Sequence, residues 1–534
     1  MYRDLITILT VSVLTAACAC AQYIPDSIGK DYAKAMIARF NADDTELYKE
    51  NFPNDKAESF ILKNVPLFDC PDDDLKSVYY FRWWTFRKHL KLIPGKGWII
   101  TEFMPKVSWG GKYNAISCPA ALQLREARWL KDSIYADDYL SHWCFDAENA
   151  FKYSTWFAAA ALDIYAVRGD IKTLKKWYPM LKRMQDTWDN MRYDANVGLY
   201  WQTDGQDGME ISASGQLNMQ WAGYRATINS YMAGNYRALA RIAQILGLDD
   251  QSKFYSGKAE TIKKALNDKL WDAEKNFYMV RPRNGDAPGF SPHRELHGYT
   301  PWYFNLAPEE YSQAWAQVVD DGGFKAPYGL TTLERRSSLF QINYIGHECQ
   351  WNGPSWPFST SITLSGMANF LRAYPNQKTL TKKDFFDALL TYARSHKLTG
   401  EDGEKVYWID ENLNPFTGDW IARTRLKNWE NGTWRSGIVE RGKDYNHSFF
   451  AELILRDIAG IMPQCSRQLK ISPLAPDGWK YYAVEDVKIQ GKSISVIWDS
   501  DGTRYNRGKG FFVFVDGALA AHADAPSDIA INLQ

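Results

Sequence analysis

The sequence carries no net charge: Lys and Arg number 63, and so do Asp and Glu. A chain so balanced has no global field to steer it to DNA or RNA, which argues against a nucleic-acid partner. Histidine is scarce, with eight in 534 residues, and none clusters at ligand spacing. His293 and His297 lie four apart, but Pro292 and Gly298 bracket them, so a loop is expected there rather than a metal-binding helix. Cysteine is sparse too. Beyond Cys18 and Cys20 there remain Cys70, Cys118, Cys144, Cys349 and Cys465, none at C-x-x-C spacing. They read as small buried hydrophobes, with one disulfide as an option after export. Past the first two dozen residues no run of about 18 apolar residues occurs, so no membrane-spanning helix is expected. The phosphate-cradling Gly-rich loops, the H-E-x-x-H zinc helix and the G-x-S-x-G nucleophile turn are all missing. Nucleotide, metallohydrolase and serine-hydrolase readings have no anchor, and neither a metal nor a cofactor is expected.

What the chain has in abundance is aromatic surface: 22 Trp, 31 Tyr and 26 Phe, 15% of all residues. Core filling uses part of it. The surplus points to a ligand bound by flat apolar faces with polar edges, and sugars are the commonest ligand of that kind.

At the N-terminus Arg3 precedes the apolar run "LITILTVSVLTAACACA", too short for a retained span. Ala19-Cys20-Ala21 fits a small-x-small cleavage site, so residues 1–21 are expected to be a signal peptide, with Gln22 first in the mature chain. Cys18 after "LTAA" offers lipid attachment as the alternative, and such an anchor would be the protein's only link to a membrane. The expectation is an exported protein, periplasmic or a cell-surface lipoprotein of a bacterium.

From residue 22 to 465 the pattern is helical. "AFKYSTWFAAAALDIYAVRGD" and "IKTLKKWYPMLKRMQDTWDNM" are helix-length amphipathic runs split by Gly-Asp. "TINSYMAGNYRALARIAQILG" and "QSKFYSGKAETIKKALNDKLW" repeat the arrangement, so neighbours are expected as antiparallel hairpins. Both pairs end in Asp, a polar turn and a short aromatic strand, with Tyr200 and Tyr278 in matching places. The long aromatic-rich loops between pairs favour a closed ring of hairpins over an open solenoid. From 466 to 534 the runs become short, β-branched and alternating, which predicts a small β domain.

Carboxylates set among Trp, Tyr, Gly and Asn occupy three loops. "GLYWQTDGQDGMEISASG" holds Asp204, Asp207 and Glu210 between helices, where binding residues are usually displayed. "GHECQWNGPSWPFSTS" holds Glu348, Trp351, Asn352, Gly353 and Trp356, and its two Trp either stack on a pyranose ring or pack the mouth of the ring. "VYWIDENLNPFTGDW" holds Asp410, Glu411 and Asp419. Adjacent Asp410 and Glu411 alternate sides on an extended segment, so at most one of them faces a shared cleft. Two carboxylates from separate loops in an aromatic cleft are the minimum equipment for glycoside hydrolysis, which needs no cofactor.

At these loops the sequence resembles the (α/α)6-barrel glycosidases of glycoside hydrolase family 63, especially the bacterial mannosylglycerate-hydrolase-like members, and more distantly the family 37 trehalases. "WNGPSWPFSTS" is similar to the W-x-G-P-x-W-P segment of that group, and "YNHSFFAELIL" to its closing helix. The resemblance covers most of residues 70 to 460. It implies an (α/α)6 barrel with a trailing β domain, and an inverting enzyme acting on α-linked glucose or mannose in an oligosaccharide or glycoside. It places Glu210 at the family's general acid, normally Asp, with Asp207 as the alternative. Glu411 falls at the general base, with Asp410 as the alternative. "SWGGKYN" lies where such a barrel builds its −1 subsite, which adds Trp109 and Tyr113 to Trp351, Asn352, Gly353 and Trp356 as substrate-binding candidates. Two other readings stand beside it. A polysaccharide lyase on a helical toroid would need a Tyr or His base beside a positive site, and a non-catalytic glycan-binding surface protein would need no facing carboxyls.

Overall fold

The computed structural model describes residues 23, 27–283, 289–343, 345, 347–400, 403–427 and 440–533. The signal-peptide and lipid-anchor expectations fall on residues 1–21, outside the described residues.

Six helical segments touch one another in sequence order and close into a ring: Ser117–Ala127, Phe157–Arg168, Ala226–Ile245, Leu296–Tyr303, Pro357–Ala373 and Phe450–Ile458. The last begins as an α-helical turn and continues π-helical from Leu453. A second, outer layer runs Asp73–Lys88, Ile134–Phe145, Ile171–Arg192, Asp249–Leu270, Glu309–Val319 and Lys382–Arg394. The arrangement is an (α/α)6 barrel. Its sixth hairpin is not sequential: the first barrel helix, Asp73–Lys88, packs against the last, at Phe450.

Inner helix Pro357–Ala373 is surrounded, and it is buried at every residue from Pro357 to Phe370. In the outer layer Asp73–Lys88 is also buried throughout, from Leu75 to Lys88, whereas Ile171–Arg192 shows one apolar stripe. Ile171–Arg192 buries Leu174, Trp177, Tyr178, Leu181, Met184, Gln185 and Trp188, the three- and four-residue spacing of a single helical face. The Gly-Asp break between the layers works as the sequence implies. Gly169 takes the left-handed conformation (φ 69°) that ends the inner helix, and the Asp170 side chain accepts the Lys172 and Thr173 amides that begin the outer one. The matching aromatic ends are short hairpins: Tyr193 pairs with Tyr200, and Trp271 with Tyr278.

The C-terminal region forms two antiparallel sheets that share one continuous core with the barrel. One has three strands, Ile461–Pro463, Gln468–Ile471 and Ile529–Asn532, so the β region begins at Ile461, five residues ahead of the expected boundary at 466. The other has five. Its edge strand is Leu67–Asp69, from before the barrel, paired with Tyr481–Ile489. Three residues cannot show a two-residue period, so this strand leaves no signal in the sequence.

At the C-terminal end of inner helix Ser117–Ala127 the barrel is closed by charge. The buried Glu452 carboxylate accepts Arg125 Nε at 2.9 Å, Arg128 at 2.8 and 3.0 Å, and the Trp129 indole N–H at 2.5 Å. A cavity of about 340 Å³ at this end is lined by Arg125, Arg128, Arg237 and Arg456. Among the described residues no helix is long and apolar enough to cross a membrane, and the five described cysteines are unpaired.

Candidate active site

The other end of the barrel, at the N-termini of inner helices Ser117–Ala127 and Pro357–Ala373, holds a cavity of about 250 Å³. Glu102, Glu210, Glu348 and Glu411 all line it, together with Arg441 and the rings of Trp109, Tyr153, Trp356 and Tyr445.

Glu210 reaches the cavity through a loop that only glycine permits. Gly208 sits at φ 76°, and a Cβ there would lie 2.6 Å from Cys118 Sγ. The following residue, Ile211, bridges to the second loop: its amide donates to the Cys349 carbonyl (3.2 Å) and its carbonyl accepts the Trp351 amide (2.8 Å). These two bonds lock the "DGMEIS" and "QWNGPSW" loops in register. No ion-pair partner meets Glu210 among the described residues, and burial pushes its carboxyl up to about 7, with Glu411 adding to the rise. Asp207, the alternative acid, does not line the cavity. Its carboxylate is taken by the Thr227 hydroxyl and by Arg225 Nε at 3.0 Å, which anchors the loop from behind.

Glu411 and Asp410 take opposite sides, as alternation requires. Glu411 faces the cavity, where its Oε1 accepts Arg441 Nε (3.1 Å) and Nη2 (2.5 Å), and its Oε2 lies 3.7 Å from the Cys349 thiol. Asp410 turns back. Its Oδ1 accepts the Glu411 amide at 2.7 Å, and it lies against Gly442, where any Cβ would collide with it. Burial pushes the Asp410 carboxyl up to about 8, and it does not line the cavity.

The substrate-binding candidates divide in the same way. Trp356 and Trp109 line the cavity. Trp351 stacks on Trp356, centroids 4.3 Å apart and planes within 14°, so it presents a face to Trp356 and backs it. Asn352 and Gly353 shape the loop and do not line the cavity: Asn352 donates to the Leu339 carbonyl at 3.0 Å, and a Cβ on Gly353 would meet the Gln341 carbonyl at 2.4 Å. Tyr113 packs edge-on against His142, centroids 5.7 Å apart, away from the cavity lining. His293 and His297 are separately engaged, the first with Ser337 and the second with Glu295.

Sequence reasoning missed Glu102, Arg441 and Tyr445. Glu102 follows strand Gly97–Ile100 as a lone carboxylate, with no Gly- or Trp-rich loop around it at that point. Arg441 and Tyr445 stand just ahead of the last inner helix, where "ERGKDYNHSFF" mixes charges of both signs. A cation within reach of Glu411 is chemically required to hold a buried carboxylate, but nothing local says which of the chain's arginines supplies it.

A ring of helical hairpins with carboxyls and aromatic walls gathered at one mouth is the architecture of the six-hairpin class. The model of the mannosylglycerate hydrolase MGH1-like glycoside hydrolase domain matches residues 112–448, and that of the glycosyl hydrolase family 65 C-terminal domain matches residues 462–520. The chain belongs to the MGH1-like glycoside hydrolase family. Among solved structures it is similar to one described as "Sialidase", at 34% identity and a TM-score of 0.85, over 95% of this chain but 45% of that one. Thus it spans less than half of that relative's length. It is also similar to the GH63 mannosylglycerate hydrolase from Thermus thermophilus in complex with Tris, at 13% identity and a TM-score of 0.51, over 71% of this chain and 98% of that one. The Streptomyces avermitilis alpha-L-rhamnosidase complexed with L-rhamnose matches at 13% identity and a TM-score of 0.51, over 85% of this chain and 38% of that one. The last two likenesses are of fold.

Proposed function

We propose that the protein hydrolyses α-glycosidic bonds, of the glucoside or mannoside type, with inversion, using Glu210 as general acid and Glu411 as general base. The observation that carries this is the contrast between two carboxyls of one cavity. Glu210 is desolvated, has no cation beside it among the described residues, and keeps its proton up to about pH 7. Glu411 is gripped by Arg441 in an ion pair that requires the carboxylate. Two acidic groups in environments that hold one as acid and one as base are the arrangement glycoside hydrolysis needs.

In the reaction Glu210 gives its proton to the glycosidic oxygen as the bond to the anomeric carbon breaks. Glu411 takes a proton from a water whose oxygen attacks that carbon from the opposite face. One displacement inverts the configuration, and the exchanged protons leave Glu210 ionised and Glu411 protonated until solvent resets them. Trp109 and Trp356 supply flat walls for the sugar. The lyase reading loses its support here, because Arg441, the one guanidinium lining the cavity among the described residues, is already committed to Glu411.

The stereochemistry tests the mechanism. An α-glycoside should release the β-anomer first, seen by proton NMR before mutarotation. Early α-anomer, or a glycosyl adduct on Glu411, means a retaining enzyme and rules out the water-activating role.

Export is part of the same proposal and rests on the N-terminal sequence, a short apolar run after Arg3 that ends at a small-x-small site. The intact mass of protein recovered from expressing bacteria should correspond to a chain starting at Gln22, or to a lipid-modified chain starting at Cys18. An unprocessed chain beginning at Met1 contradicts export.

A further inference from the structure

The proposed mechanism uses two of the cavity's carboxyls and leaves Glu102 without a task. Its backbone is fixed, since its carbonyl accepts the Asn446 amide at 3.0 Å. Its Oε1 accepts the Tyr445 hydroxyl at 2.5 Å, which sets the rotamer. The remaining oxygen bonds to no protein group among the described residues, and the residue lines the cavity.

The surroundings favour the neutral acid. Burial pushes the Glu102 carboxyl up to about 8; Glu411 and Glu210 push the same way, while the Tyr445 hydroxyl and Arg441 oppose them. Cys118, Tyr139 and Tyr153 also lie close enough to feel its charge, and none of them is a cation. Arg441 is committed to Glu411. Below about pH 8, therefore, Glu102 carries an O–H on the cavity wall, and no protein group among the described residues receives it. A buried donor needs an acceptor, and a sugar hydroxyl oxygen is one.

We infer that Glu102 is a substrate-binding residue that sets specificity: its carboxylic acid group, oriented by Tyr445, donates a hydrogen bond to a hydroxyl of an uncharged sugar ring. On ionising, the side chain loses that donor and becomes an acceptor beside two other carboxyls. The inference takes from the proposed function only that the occupant is a sugar.

Calorimetric titration of the intact protein with D-glucose and with D-mannose, from pH 5.5 to 9.5, tests it. The affinity of the wild type for the better-bound sugar should fall about tenfold as pH rises through about 8, the loss expected for one hydrogen bond of about 1.4 kcal/mol. Glu102→Gln keeps an N–H donor and cannot ionise. It should bind within about threefold of wild type at pH 6 and lose the fall near pH 8, while any fall near pH 7 from Glu210 persists. Glu102→Ala should bind about tenfold more weakly at pH 6; should it fail to fold, the Gln variant decides. A fall near pH 8 that survives in Glu102→Gln, wild-type affinity in Glu102→Ala, or no binding of either sugar at pH 6 would overturn the inference. Sugar binding with this pH pattern but no turnover of any α-glycoside would sink the hydrolase mechanism and leave the role of Glu102 standing.

Discussion

Glu411→Gln should lower kcat by roughly 10³-fold on every α-glycoside, because removing a general base in this chemistry costs about 10²- to 10⁴-fold. Glu210→Gln should show a different signature. Its loss should match that of Glu411→Gln on natural sugars, whose leaving alcohol needs a proton. On a 2,4-dinitrophenyl α-glycoside it should nearly vanish, since that leaving group departs as a stable anion. The wild-type kcat should fall as pH rises through about 7, where Glu210 gives up its proton, and Glu210→Gln should lack that limb. Steady-state kinetics of the two variants on both substrate types provide the check. Equal losses on the activated substrate, or an unchanged alkaline limb in Glu210→Gln, would remove Glu210 from the acid's role.

The second large effect is on stability and lies at the opposite end of the barrel. Glu452 is fully buried and pairs with Arg125 and Arg128. Burial by itself would push its carboxyl up, but Arg128, Arg125 and Arg456 beside it bring it down to about 2. Glu452→Ala leaves those guanidiniums buried without their nearest counter-ion, and removing one partner of a buried pair costs about 3–5 kcal/mol. Urea unfolding should show a lower midpoint at an unchanged slope. kcat of the folded protein should be unaltered, because the cavity that holds Glu210 and Glu411 is at the other mouth. The pH dependence has a definite sign. A carboxyl whose folded value lies below its unfolded value stabilises fully above about 4.5, and that contribution is lost as pH falls toward about 2. Wild type and Glu452→Ala should therefore converge in stability under acid. A change below about 1 kcal/mol at neutral pH would mean that Asp163, 3.2 Å from Arg128, and Asp457, 2.6 Å from Arg456, suffice to balance the arginines.

Of the groups that line the cavity, Glu210, Glu411, Trp109 and Trp356 are legible in the sequence, because each stands in a loop whose composition is abnormal for a solvated turn. Choosing within each loop needed more. For Asp410 and Glu411 the strand-like alternation of side chains already forbade a shared direction, and only the approach of Gly442 and Arg441 from elsewhere decided which one faced inward. For Trp351 and Trp356 the sequence offered two rings of equal chemistry. The stack of one on the other turned the first into support and the second into wall. Asn352 and Gly353 resembled ligands by their neighbours, yet their roles are backbone roles, visible once the Leu339 and Gln341 carbonyls are seen against them.

The sequence by itself determined the helical hairpins, their Gly-Asp punctuation, the aromatic strands at Tyr200 and Tyr278, the C-terminal switch to β structure and the loops that carry Glu210 and Glu411. Each of these follows from periods of 3.6 or 2 residues, or from turn chemistry confined to a few neighbours, so each is written locally. The tertiary structure decided the rest: that Leu67–Asp69 joins a sheet more than 400 positions onward, that Asp73–Lys88 completes the hairpin of the final barrel helix, and that Arg441 and Tyr445 reach Glu411 and Glu102. Those outcomes depend on which surfaces remain to be covered when the ring closes. Ring closure is a property of the whole chain, and no window of sequence contains it.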